Sequence, residues 1–168
     1  VLGGSACVFA LASRGELSLD APVCRFVPGV PDPVLIRHCL PHTSGMIPWR
    51  PFYESVDALG FPLGSEDARQ WIIREVAGTP LQTPPGSSHA YSDLGFLLLL
   101  AVVEQVGGAR IEDLWNEMVA TPLAYSGICW RPGPRADVVA TEECPWRGRV
   151  IEGQVHDLNT AALGGTST

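Results

Sequence analysis

Pro84-Pro85-Gly86-Ser87-Ser88-His89-Ala90-Tyr91-Ser92-Asp93-Leu94-Gly95-Phe96 is the stretch from which the rest of the chain can be read. Its first half is turn chemistry. Proline presets φ, glycine supplies positive φ, and serines hydrogen-bond their own backbone. Its second half opens an apolar run, residues 94–103, that is too short to span a bilayer, which needs roughly 20 residues. The run reads as a buried core helix starting at Asp93, and the turn delivers Tyr91 to that helix's mouth.

Working outward, a chain of 168 residues is long enough for one ordinary domain with a core. Apolar residues make up 46% and charged residues 17%, which excludes a disordered chain. The net charge of −7 argues against a nucleic-acid surface, because phosphate binding needs clustered cations. All eleven basic residues are arginines, and lysine is absent. Arginine without lysine, beside abundant Ala, Gly and Pro, fits GC-rich coding. The five cysteines (Cys7, Cys24, Cys39, Cys129, Cys144) are widely spaced, with no Cys-x-x-Cys pair, and read as small buried hydrophobes. Val1-Leu2-Gly3-Gly4 has neither an initiator Met nor a basic leader region, so the compartment is left open.

Residues 1–13 read as a helix with Leu2, Val8, Phe9 and Leu11 apolar, stopped at Arg14-Gly15. Residues 16–23 read as extended, and a Pro-rich loop follows to Pro33. A short helix over 34–40 is halted by Pro41. Ser65 is an expected N-cap, with Glu66 and Asp67 in the first turn, Trp71, Ile72 and Val76 as an apolar stripe, and Gly78 as the stop. The long helix is expected over 93–106, ahead of Gly107-Gly108. Ile111, Leu114, Trp115, Met118 and Val119 then recur at i, i+3, i+4, i+7 and i+8, an amphipathic helix ended by Pro122. Short β-prone pieces are expected at 128–130, 138–141 and 150–155. The expectation is one mostly helical unit with irregular or β-rich C-terminal material.

Five segments in this order resemble the serine hydrolases of the β-lactamase and penicillin-binding-protein type, in particular the class C β-lactamase-like esterase branch. Residues 14–23 resemble the turn after that family's nucleophile helix. Ile36-Arg37-His38-Cys39-Leu40-Pro41-His42-Thr43-Ser44-Gly45-Met46 resembles its Arg-His-Leu-Leu-Thr-His-Thr-Ser-Gly-Leu segment. Tyr91-Ser92-Asp93 resembles its Tyr-x-Asn element, and Pro122-Leu123 a Pro-Leu-Gly turn. Gly153-Gln154-Val155-His156-Asp157-Leu158-Asn159-Thr160-Ala161 resembles a Gly-x-Val-His-Asp-x-Asn-Ala segment of esterase-like members. The resemblance covers nearly the whole chain. It implies an α+β fold of the β-lactamase/transpeptidase type, of which residues 1–168 would be a partial domain truncated at both ends. This segment would be mostly the helical part with some short β pieces, and most of the antiparallel sheet would lie outside it. The family's Ser-x-x-Lys is expected just upstream of Val1, and its Lys-Thr-Gly or His-x-Gly strand just after Leu163-Gly164-Gly165.

Acyl transfer through serine needs a nucleophile, a group that takes its proton and an oxyanion hole. A tyrosine of pKa about 10 is a poor base alone. Beside a lysine ammonium its pKa would fall, or it could relay the proton from serine to leaving group. The resemblance implies that catalytic role for Tyr91 and a substrate contact at Asp93. An ionised carboxylate cannot donate the hydrogen bond that Asn gives, and Asp is also a good N-cap. That change tilts the expected substrate from a β-lactam to an ester or similar small ester or amide. Ser44 is no nucleophile candidate, since Gly-x-Ser-x-Gly is absent, and Ser5 lacks a lysine three residues on. His156-Asp157 could pair near the site, although fixing a loop is the preferred reading.

Two alternatives stay open. One is a non-catalytic penicillin-binding-like module that kept the fold and lost the chemistry. The other is a metal-dependent hydrolase using His38, His42 and His156. Against the metal, Pro41 interrupts the His-x-x-x-His helix and no Glu stands beside His38. No cofactor and no metal are expected.

Overall fold

The computed structural model describes residues 2–126, 130 and 138–165. They divide into two compact units, Val1–Arg50 with Ile73–Tyr125, and Pro51–Ile72 with Ser126–Thr168.

The first unit is helical. Helix α1 (Leu2–Ser13) buries Gly3, Cys7, Val8 and Leu11, a stripe at i, i+4, i+5 and i+8. Leu2 and Phe9, read as apolar helix positions, stay 66% and 53% exposed. Gly15 stops the helix with φ of 73°, a left-handed conformation that glycine adopts at no steric cost. Residues 16–23 are not extended. Ser18 and Asp20 close a turn, the Ala21 N–H donating to the Ser18 carbonyl at 3.0 Å, and a 3-10 turn follows at Val23–Arg25. The alternation of Leu17, Leu19, Ala21 and Val23 suggests a strand, yet local serine and aspartate bonding outcompetes it. The segment instead meets residues 34–37 through three backbone bonds and a single bridge, Pro22 to Leu35.

Helix α2 (Ile36–Cys39) is the short helix expected before Pro41. Helix α4 (Glu66–Ala77), counted with the second unit up to Ile72 and with the first from Ile73, starts where Ser65 was expected to cap it, its Oγ accepting the Ala68 N–H at 3.2 Å. It ends at Gly78, and Ile72 and Val76 are fully buried. Helix α5 (Asp93–Gly107) is the core of its unit, with Leu94, Leu98, Val102 and Val103 fully buried, and Gly108 closes it at φ 69°. It packs on α1, α2 and α6 (Ile111–Trp115). The amphipathic helix begins at Ile111 as expected, but after Trp115 it widens into a π-helical turn, Asn116–Ala120. Among the described residues no single helix is long and apolar enough to cross a membrane; α5 and the helix after it pass such a test only together, bent by 72°.

The second unit holds two helices that the sequence reading did not anticipate, α3 (Phe52–Ala58) and α7 (Leu158–Ala162), packed on each other. It also holds a two-stranded antiparallel hairpin, β1 (Glu142–Cys144) and β2 (Arg149–Ile151), in the register Glu142 to Ile151 and Cys144 to Arg149. The expected β pieces at 138–141 and 150–155 are thus displaced: 138–141 precedes β1, and β2 ends at Ile151. Pro145 and Gly148 punctuate the turn, Gly148 with φ 64°, and so set the register. Of the expected piece at 128–130, residues 128 and 129 lie outside the described residues, and Trp130 is not in a strand.

Candidate active site

Residues 82–93 are bound along their length to residues 42–48. The Gln82 N–H donates to the Gly45 carbonyl and the Gly86 N–H to the Thr43 carbonyl, each at 2.7 Å. The Ala90 N–H donates to the His42 carbonyl and the Asp93 N–H to the Pro48 carbonyl, each at 3.0 Å. The Ser92 hydroxyl donates to the Ile47 carbonyl at 2.7 Å. A loop built of turn residues is thereby immobilised by a second loop, which is how a rigid presentation of Tyr91 arises without sheet or helix. Gly45 sits where no side chain fits. Its φ is 80°, and a Cβ there would overlap the Thr83 carbonyl oxygen.

Tyr91 is 57% exposed and lies one residue before the N-cap position of α5. Its ring stacks on His42 with centroids 4.4 Å apart and planes tilted by 35°. His42 also meets Phe96 at 5.1 Å and, edge on, His89 at 6.2 Å. His42 Nδ1 lies 3.2 Å from the Ser92 nitrogen and 3.2 Å from the Ser92 oxygen. A ring protonated at Nε2 accepts the Ser92 N–H; one protonated at Nδ1 donates to the carbonyl.

Asp93 is half-buried and is the first residue of α5, a position at which the helix dipole favours negative charge. The N-cap position belongs to Ser92, whose hydroxyl reaches Ile47 rather than the helix. Ser44 is 1% exposed, in keeping with the exclusion of this serine as a nucleophile, and its Oγ accepts the Met46 N–H at 3.4 Å.

The histidines read as possible metal ligands are committed elsewhere. His38 Nδ1 accepts the Leu35 N–H at 3.2 Å, and burial, with the Arg37 charge beside it, lowers its pKa. His156 Nδ1 lies 3.3 Å from Glu142 Oε1, so its carboxylate partner is Glu142. Asp157 instead caps α7, accepting the Thr160 N–H at 2.6 Å. The expected His156–Asp157 pair therefore does not form: each side chain has a separate partner. No group of three or more His, Cys, Asp or Glu comes together to hold a metal among the described residues.

Cys7, Cys39 and Cys144 are buried and Cys24 is half-buried, as small hydrophobes would be; Cys129 lies outside the described residues. Burial pushes the Cys7 thiol up to about 11 and Cys39 up to about 12, so neither is a nucleophile near neutrality. Cys144 goes the other way, because Arg147 Nε donates to its sulfur at 3.3 Å. The same guanidinium donates to the Val155 and His156 carbonyls at 2.8 Å, and so ties the segment after β2 to the hairpin. Asn159, 1% exposed, accepts the Tyr53 N–H at 3.1 Å and links α7 to α3.

The contact that sequence reasoning missed is His42 on Tyr91. No periodic pattern joins residues about fifty apart, and the His-x-x-x-His spacing drew attention to a metal instead.

Residues 4–162 match the Beta-lactamase family. The chain is 30% identical to a protein of Escherichia coli (strain K12) named "Putative D-alanyl-D-alanine carboxypeptidase", over 92% of this chain and 38% of that one. It is 37% identical to esterase EstB of Burkholderia gladioli over 69% of this chain and 33% of EstB. A penicillin binding protein from Bacillus halodurans superposes with a TM-score of 0.66 at 22% identity, over 98% of this chain and 51% of that one, which supports the fold. The chain spans 33% to 38% of the length of these curated relatives.

Proposed function

We propose, from the premise that this chain belongs to the beta-lactamase family, that it supplies the tyrosine arm of a serine hydrolase. That hydrolase would act on a small ester, or on a β-lactam or D-Ala-type amide, through an acyl-serine. The nucleophile and its lysine would come from a Ser-x-x-Lys outside these 168 residues, since the chain contains no lysine. In the first step the serine Oγ attacks the substrate carbonyl and its proton passes to the phenolate of Tyr91. Tyr91 then returns a proton to the leaving oxygen or nitrogen as the tetrahedral intermediate collapses to the acyl-serine. Water attacks that ester, and the same tyrosine handles its proton. A neighbouring lysine ammonium would lower the tyrosine pKa towards the working pH.

The observation that carries this reading is Tyr91 itself. It is an exposed phenol at the mouth of a buried helix, on a loop whose backbone is hydrogen-bonded on both sides of it. In the full-length protein, Tyr91→Phe should lower the acylation rate by roughly 10²–10⁴-fold with little change in KM, the size of a general acid–base contribution. Retention of more than half the rate would make Tyr91 structural. Absence of any Ser-x-x-Lys upstream would favour the binding module instead.

A further inference from the structure

We infer that His42 is the positioning residue for Tyr91, an inference that rests on the hydrolase reading only for its catalytic consequence. One residue here touches three in a row. The His42 carbonyl takes the Ala90 N–H at 3.0 Å, its ring stacks on Tyr91 at 4.4 Å, and its Nδ1 faces Ser92 at 3.2 Å. The residues on both sides of the tyrosine and the aromatic ring itself thus all meet one histidine.

The backbone at His42 is the second observation. Its φ is 55°, left-handed, a conformation that glycine adopts freely and that costs a side chain strain. A bulky ring is carried at a strained position, and the ring is the part that meets Tyr91. Phe96, on the first turn of α5, supports the imidazole at 5.1 Å, so the stack is anchored on the helix whose start Tyr91 precedes. An exposed tyrosine without such a neighbour samples several staggered rotamers. The imidazole face selects one of them and so holds the phenol oxygen at one place. His42 does not have to touch the substrate to do this.

The test uses the full-length protein with 3-fluorotyrosine placed at position 91, so that one fluorine resonance reports this ring alone. His42→Asn tolerates positive φ and retains an acceptor for the Ser92 N–H, but has no ring. It should move the resonance to that of a solvent-averaged tyrosine and lower kcat by about 10²-fold, the cost of a misplacement of about 1 Å, with KM unchanged. His42→Phe retains the ring and loses the acceptor; it should hold the resonance near its wild-type position and restore most of kcat. An unmoved resonance in His42→Asn overturns the inference. Should that variant fail to fold, a folded His42→Phe whose resonance shifts to the averaged position overturns it equally. A resonance that moves in His42→Asn, in a protein whose rate Tyr91→Phe leaves intact, upholds the positioning and rejects the hydrolase reading of Tyr91.

Discussion

At Asp93 a single carboxylate stands where the proposed likeness to a Tyr-x-Asn element would put an amide. The amide can donate to an acyl amide of the substrate; the ionised carboxylate can only accept. Asp93→Asn in the full-length protein should therefore raise nitrocefin turnover relative to p-nitrophenyl ester turnover, and an unchanged ratio would remove Asp93 from substrate selection. His38 has a different consequence. Its folded pKa lies below the ordinary histidine value of 6.5, because burial and the neighbouring Arg37 disfavour the charged ring. As pH falls below that value the unfolded chain takes up the proton first, so stability is full above about pH 6.5 and declines down to the lowered folded pKa. Replacing His38 with Gln should flatten the unfolding free energy across that window, as measured by urea denaturation at several pH values.

Among the elements, the helices with clear ends in the sequence are the ones that form where expected. Ser65 caps α4, and the glycines at 15, 78 and 108 stop α1, α4 and α5. Helix α7 is too short to show periodicity, and its start depends on a single side chain. Asp157→Ala removes the acceptor of the Thr160 N–H and should cost about 0.5–2 kcal/mol in urea unfolding, with an unchanged m-value. A cost near zero would mean that packing on α3, and not the cap, decides where α7 begins. Helix α1 makes the complementary point. It is apolar nearly all round, so no pattern within it selects the face that α5 and α6 cover.

For the whole molecule, the proposed chemistry is divided between what these 168 residues hold and what they do not. Tyr91 is presented, but no lysine exists anywhere in the chain to lower its pKa or to activate a serine. The chain as given should not turn over nitrocefin or p-nitrophenyl esters above background. Turnover that survives purification and is abolished by a serine-reactive phosphonate would refute this.

What the sequence by itself determined is the set of features written in short-range chemistry. The Pro-Pro-Gly turn, the placement of Tyr91 ahead of an apolar helix, the caps and the glycine stops each depend on a few adjacent residues, and the family resemblance rests on them. Only the tertiary structure decided the rest. The strand-like alternation at 16–23 gave way to local turns and a single bridge, because its hydrogen-bond partners at 34–37 do not extend into a ladder. His156 found Glu142 rather than its neighbour Asp157, because β1 brings that carboxylate within reach while Asp157 is held at the helix start. His42 became the partner of Tyr91 because the loop over 82–93 donates backbone hydrogen bonds along its length to the carbonyls of 42–48, a loop far away in sequence. Such contacts depend on which surfaces meet, and no local pattern of side chains records that.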